Sequence, residues 1–227
     1  MSLPIVELQG ISKSYGALRP LRIERLAVAP REQVAIIGPD QPAAEVLIGL
    51  ITGASLPDTG EVRVFGHRTA DITNGDEWLA GLDRFGIVSD RAALLEALTV
   101  LQNLAVPFSL EIEPPPEPLR ERAAALGEEL LLGSAVHDAR AGDLDGTGRL
   151  RLRVARALAF DPALVLLEHP SASVSPHDGT AVARDIRAAL VRRGAASLTV
   201  TADRAFATAI ASRVLVLDPA SGRLKPR

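Results

Sequence analysis

Three short stretches hold residues whose types and spacing could do chemistry. The first, Gly38-Pro39-Asp40-Gln41-Pro42-Ala43-Ala44-Glu45-Val46, follows an almost wholly apolar run, Gln33–Ile37, and leads into a helical pattern. A turn from a buried strand into a helix can aim backbone N–H groups at an anion, but this one is poor in glycine and holds two carboxylates. Asp40 before the helix, Pro42 in its first turn and Glu45 close behind read more simply as a capped helix start, the chain's own carboxylates standing where an anion would sit. The second stretch is Glu168-His169, directly after the apolar Leu164–Leu167. It offers a carboxylate and an imidazole; the histidine is either a general base or a satisfied side chain at a strand terminus. The third is Leu144-Asp145-Gly146-Thr147-Gly148, in which Asp145 is placed to cap the helical pattern that follows.

These residues need a frame. Ile5–Ile11, Leu21–Ala29 and Glu61–Phe65 alternate or run apolar between Gly and Pro and read as strands. Gln33–Ile37 and Phe85–Val88 are short apolar runs suited to strands buried on both faces. Helical patterns cover about Pro42–Ile51 and, interrupted by EIEPPPEPL, Glu96–Leu132; Pro114, Pro115 and Pro116 make a stiff loop there. The last third alternates: helix Arg149–Phe160, strand Leu164–Leu167, helix His177–Arg193, strand Leu198–Thr201, helix Arg204–Ala211, strand Val214–Leu217. That alternation predicts a parallel sheet. Trp78, in ITNGDEWLAGL, reads as a core residue of an amphipathic connecting helix.

Bulk properties narrow the function. With 227 residues and 47% hydrophobic content, one α/β core is expected to form a single domain, 1–227. The net charge of -3 and a pI near 5.8 argue against nucleic acid as a partner. Cysteine is absent, so disulfides and thiolate metal sites are excluded, no metal site is expected, and the cytoplasm is the natural compartment. The segment MSLPIVELQG lacks the features of a signal peptide, and no run nears the roughly 20 apolar residues of a membrane helix. Direct membrane insertion is not expected. Lys13 and Lys225 are the two lysines of the chain, which limits what an anion-binding turn can contain.

The order of segments resembles the ATP-binding subunits of ABC transporters over nearly the whole chain. Ile11-Ser12-Lys13-Ser14-Tyr15-Gly16 resembles the family's opening segment, with Tyr15 where an aromatic stacks on adenine. Val34–Pro39 resembles the strand entering the phosphate loop, and Pro57–Val62 the P-x-S-G-x-V turn. Leu98–Asn103 is similar to the L-T-V-x-E-N stretch, Arg151–Pro162 to the helix after the signature motif, and Leu164–Pro170 to an apolar strand followed by D-E-P. The resemblance implies a RecA-like P-loop core of ABC type with an N-terminal antiparallel β portion and an inserted helical subdomain, roughly 91–148.

Set against the family's motifs, the chemical positions depart. A working loop follows G-x-x-x-x-G-K-[ST], glycines turning amides inward, lysine neutralising phosphates, the hydroxyl holding Mg²⁺. Here Gly38 survives, Ala43 takes the second glycine's place, Ala44 the lysine's and Glu45 the hydroxyl's. Pro42 removes an amide donor, Gln41 and Ala43 disfavour positive φ, and loss of the lysine removes a bond worth about 1.5–3 kcal/mol. Glu168 keeps a carboxylate at the magnesium-linked position, while His169 stands at the base position. Ala202 replaces the switch histidine, and Asp90 a glutamine that senses Mg²⁺ and couples to the membrane subunit; Asp90 could still touch a metal. Asp145 replaces the serine of L-S-G-G-Q, where it would repel a γ-phosphate or simply cap the helix, and Ser175 takes the aspartate's place in Ser171–Ser175.

From the resemblance and these departures, a non-hydrolysing structural or regulatory subunit is expected, with no cofactor bound. Its partners would be an ABC membrane subunit, docking near Asp90 and the helical insert, and a second, intact cassette. It would then sit in the cytoplasm, peripheral on the inner face of the membrane. Two other readings stay open: an active ATPase using ATP and Mg²⁺ with Glu168 and His169, and a cytosolic interaction module that binds through EIEPPPEPL.

Overall fold

Alternating side chains build the first layer of the computed structural model, which describes residues 3–227; Met1 and Ser2 of the N-terminal segment lie outside the described residues. Strands β1 (Val6–Lys13), β2 (Leu21–Val28), β4 (Thr59–Val64) and β5 (His67–Arg68) form an antiparallel sheet in the order β2-β1-β4-β5. Val6, Leu8 and Ile11 of β1 face Ile23, Leu26 and Val28 of β2 in one core. The start of β4 needs its glycine: Gly60 has φ 90°, and a Cβ there would lie 2.4 Å from the carbonyl oxygens of Gln9 and Gly10.

The second layer is a six-stranded sheet, in the order β10-β9-β3-β8-β7-β6. Its strands are β3 (Gln33–Ile37), β6 (Phe85–Val88), β7 (Leu164–Glu168), β8 (Ala196–Thr201), β9 (Arg213–Asp218) and β10 (Arg223–Pro226). Every pairing is parallel except that of the edge strand β10 with β9. Every residue of β3, β7 and β8 is buried, as the apolar run predicts for β3, whereas β6, expected to be buried on both faces too, lies at the sheet edge and leaves Ile87 exposed. The period of two splits them between two cores. Val34 and Ile36 of β3 and Leu164 and Leu166 of β7 join the small sheet and α1 (Gln41–Thr52), whereas Ala35, Ile37, Val165 and Leu167 face the other helices.

Those helices are α3 (Val100–Ala105), α4 (Glu117–Glu129), α5 (Gly146–Ala157), α6 (Gly179–Arg193) and α7 (Arg204–Ile210). The helix expected from Glu96 begins at Val100, after a capping box between Thr99 and Gln102. Residues 94–98 stay in a loop because Asn103 satisfies their backbone from outside: its amide accepts from Leu95 N and donates to the Leu95 and Thr99 carbonyls. The prolines at 114–116 precede α4 as expected. Arg193, closing α6, grips the end of α4 through a bidentate pair with Glu129 (2.7 and 2.8 Å) and also reaches the Leu158 carbonyl and Asp161.

Trp78 departs from the expectation. It lies on α2 (Gly75–Leu82), a surface helix with no buried residue; half-buried, it donates its indole N–H to the Thr52 carbonyl at 2.9 Å. The short strands β5 and β10 were not legible as strands, being mostly polar and exposed. Among the described residues no helix is long and apolar enough to cross a membrane.

Candidate functional site

The C-terminal ends of β3, β7 and β8 converge, which is where open parallel sheets hold their ligands. This brings together the first two stretches of chemistry read from the sequence. Gly38, with φ 124°, turns the chain out of β3, and Pro39 is buried beneath it. Asp40 then caps α1 in extended geometry, its Oδ1 accepting from Ala43 N at 3.0 Å. Pro42 sits in the first turn, as expected for a residue without an N–H. Ala43 and Ala44 are buried in the core beside Leu47, and Val46 is half-buried. The helix start is sealed by its own aspartate.

Glu45 behaves otherwise than expected. It does not back the helix N-terminus but faces outward, its Oε2 3.5 Å from the guanidinium of Arg91. That guanidinium reaches on to Glu168 Oε2 at 3.4 Å. The other oxygen of Glu168 accepts a short hydrogen bond from the side-chain amide of Gln41. The Glu168 side chain is fully buried, and burial pushes its carboxyl above the usual range; Arg91 opposes the shift, while Glu45 and Asp90 add to it. A buried carboxylate is thus held between an amide and a cation supplied by the chain itself. Arg91 and Gln41 were not singled out as partners of Glu168, because no local spacing links them to it.

His169 does not fit the satisfied-histidine reading. Its backbone N–H donates to the Val200 carbonyl at 2.8 Å, but its buried Nε2 has no hydrogen-bond partner among the described residues, and its φ is 41°. A left-handed non-glycine backbone costs about 1–2 kcal/mol. Beside it, Ala202 is exposed, and Asp203 caps α7 through Ala205 N and Phe206 N. Asp90 is engaged with Arg153 at 2.9 Å.

The third stretch follows the capping prediction. Asp145 Oδ1 accepts from Gly148 N at 2.7 Å, opening α5, and Thr147 lies in that first turn. Arg149 holds the approach by donating to the carbonyls of Leu144 and Gly142. Gly146 is required by its neighbour: a Cβ would lie 1.7 Å from the Ser173 carbonyl oxygen, in the loop after β7. This contact locks α5 to the segment 171–175.

Tyr15 lies beside the turn. With Arg19, Arg22, Gly38, Asp40 and Ala43 it lines a cavity of about 250 Å³, below the roughly 300–1,000 Å³ of ordinary ligand pockets. Burial, and secondarily Asp40, raise its phenol pKa. Glu45, Glu168, His169, Ala202 and the 144–148 segment do not line that cavity.

No family model matches the chain. It is 29% identical over 217 residues to a methionine import ATP-binding protein of Brucella abortus, covering 96% of this chain and 58% of that protein. An Fe(3+) ions import ATP-binding protein of Serratia marcescens is 32% identical over 220 residues, with 96% and 61% covered. The chain therefore spans about three fifths of these import relatives. An uncharacterized ABC transporter ATP-binding protein of Mycobacterium tuberculosis is 30% identical over 230 residues, covering 98% of this chain and 90% of that one. Among solved structures, cbiO1 from Clostridium perfringens, part of the ABC transporter complex cbiONQ, matches with TM-score 0.81 at 17% identity over 99% of this chain and 88% of its own. A dimeric ATP-binding cassette in a post-hydrolysis state bound to ADP and Pi matches with TM-score 0.75 at 22% identity over 98% and 97%. These two share the fold.

Proposed function

Because the chain belongs to the ATP-binding subunits of ABC transporters, we propose that it is a non-hydrolysing cassette, the structural or regulatory half of an assembly with an intact cassette or a membrane subunit. The observation that carries this reading is the bridge of Gln41 and Arg91 on Glu168, with Arg91 also reaching Glu45. A magnesium nucleotide needs cationic and inward N–H partners at its phosphates. Here Ala44 stands buried where the family's lysine would neutralise them, Asp40 fills the helix N-terminus, and Arg91 occupies the carboxylates that would face a metal. The residues do not fit the group. The second helix end, at Asp145, is closed by its own carboxylate in the same way.

In this reading membrane docking uses the region around Asp90 and the helical insert 91–148, and the chain is held at the inner membrane face by its partners. Titration calorimetry of the purified chain with ATP and Mg²⁺ tests it: no heat of binding is expected up to millimolar nucleotide. Binding at micromolar concentration would sink the proposal.

One observation favours an active ATPase instead. His169, next to Glu168 in the chain, keeps a buried Nε2 that has no hydrogen-bond partner among the described residues, and the import relatives are named ATP-binding proteins. Phosphate release above background, alone or with a second cassette, and abolished by His169→Ala, would favour it.

A further inference from the structure

The molecule carries a second concentration of charge. Between α6 and α7 runs an open groove of about 960 Å³, walled by Arg184, Arg187, Arg204 and Arg227 and floored by Val191 and Ala209. Arg184, Arg187 and Arg204 have no carboxylate within ion-pair distance among the described residues. The neighbouring acids are engaged elsewhere: Asp185 holds Arg151, Asp203 caps α7, and Asp178 takes the Ser175 hydroxyl. On a chain of net charge -3, clustered guanidiniums without counter-ions point to an anionic partner.

The complementary surface is on the same chain. In the segment 110–117, Leu110 is 88% exposed, and Glu111, Glu113 and Glu117 are exposed and have no ion pair among the described residues. Ile112 between the first two glutamates is buried, and its carbonyl accepts from Gln102 Nε2 at 3.0 Å, which fixes the segment on α3. Flanking a buried residue, Glu111 and Glu113 share the outward side, roughly 6–7 Å apart in extended chain. Arg184 and Arg187 lie one helical turn apart, roughly 5–6 Å. The prolines 114–116 stiffen the segment, so little freedom is lost when it is captured.

We propose that this groove receives the acidic proline segment 110–117 of a second copy of the chain. The glutamates meet the arginines, and Leu110 covers Val191. The contact joins unlike surfaces, so it runs head to tail and closes into a ring or continues. One short segment buries less than the roughly 1,600 Å² of a standard stable interface, so the association is transient and salt-sensitive.

Sedimentation velocity of the full chain tests this. Wild type is expected to self-associate with rising concentration at about 50 mM salt and to return to monomer at about 500 mM. Arg184→Glu with Arg187→Glu, and separately Glu111→Lys with Glu113→Lys, should each be monomeric. An equal mixture of the two should dimerise, because each retains the surface the other lacks, and all four changes in one chain should restore association. Circular dichroism confirms folding; should a reversal fail to fold, Arg184→Gln with Arg187→Gln and Glu111→Gln with Glu113→Gln should each weaken association at least ~10-fold. A wild type that stays monomeric throughout overturns the proposal, as does a mixture no more associated than its components. So does a monomer that binds vesicles of one part phosphatidylglycerol to three of phosphatidylcholine through the same arginines.

Discussion

Asp40 shows what a single carboxylate does at the head of α1: it answers one of the amides that a helix start leaves open. Replacing it with alanine should cost about 1 kcal/mol, read as a lower urea midpoint at unchanged slope. Glu168 is the more informative acid. Its carboxyl is raised chiefly by burial, so the folded state prefers the neutral form, and the stability this group contributes is lost as pH climbs through and beyond the ordinary carboxylate range. Glu168→Gln removes the charge and keeps one acceptor oxygen, for Arg91, while the Gln41 amide can turn its own oxygen toward the new NH2. Its melting temperature should therefore gain on wild type between about pH 4 and pH 7, by roughly 2–4 °C per kcal/mol recovered. A gap that narrows over that interval would show Arg91 to outweigh burial. The caps at Asp40 and Asp145 were legible in the sequence because each acts within three residues. The grip of Gln41 and Arg91 on Glu168 was not, since it closes over chain separations of 127 and 77 residues that only the sheet brings together.

Elements are held by contacts of the same two ranges. Arg193 ties α6 to the ends of α4 and α5, and its side chain is 19% exposed. Arg193→Ala should lower stability by about 2 kcal/mol, the worth of charged hydrogen bonds lost from a partly shielded site. Glu129 is held below the usual carboxylate range by that arginine, so wild type should lose stability as pH falls through Glu129's depressed pKa. The variant should lack that loss in acid melts. Gly146→Ala forces a methyl into the Ser173 carbonyl and should cost about 3 kcal/mol, measured by thermal or chemical unfolding. Strands β3 and β7 were plain from their apolar runs, and β8 and α5 to α7 from alternation. Trp78 misled because an aromatic in an amphipathic pattern signals burial, whereas here its indole N–H needed the Thr52 carbonyl at the rim. Residues 96–99 misled because a side chain, Asn103, serves the Leu98 and Thr99 carbonyls from within α3.

For the molecule as a whole, the antiparallel sheet, the six-stranded sheet and the helices around them leave the ends of β3, β7 and β8 charged yet balanced from within. On the proposed reading, scanning calorimetry with and without ATP and Mg²⁺ should give superimposable transitions, because a ligand stabilises only what it binds. The acidic groups at this end of the sheet already hold their own counter-ion, Arg91, as part of the covalent chain. Such an arrangement cannot be diluted away. On the proposed reading the folded form should survive equally in a starved cell and a well-fed one, its lifetime indifferent to the adenylate pool.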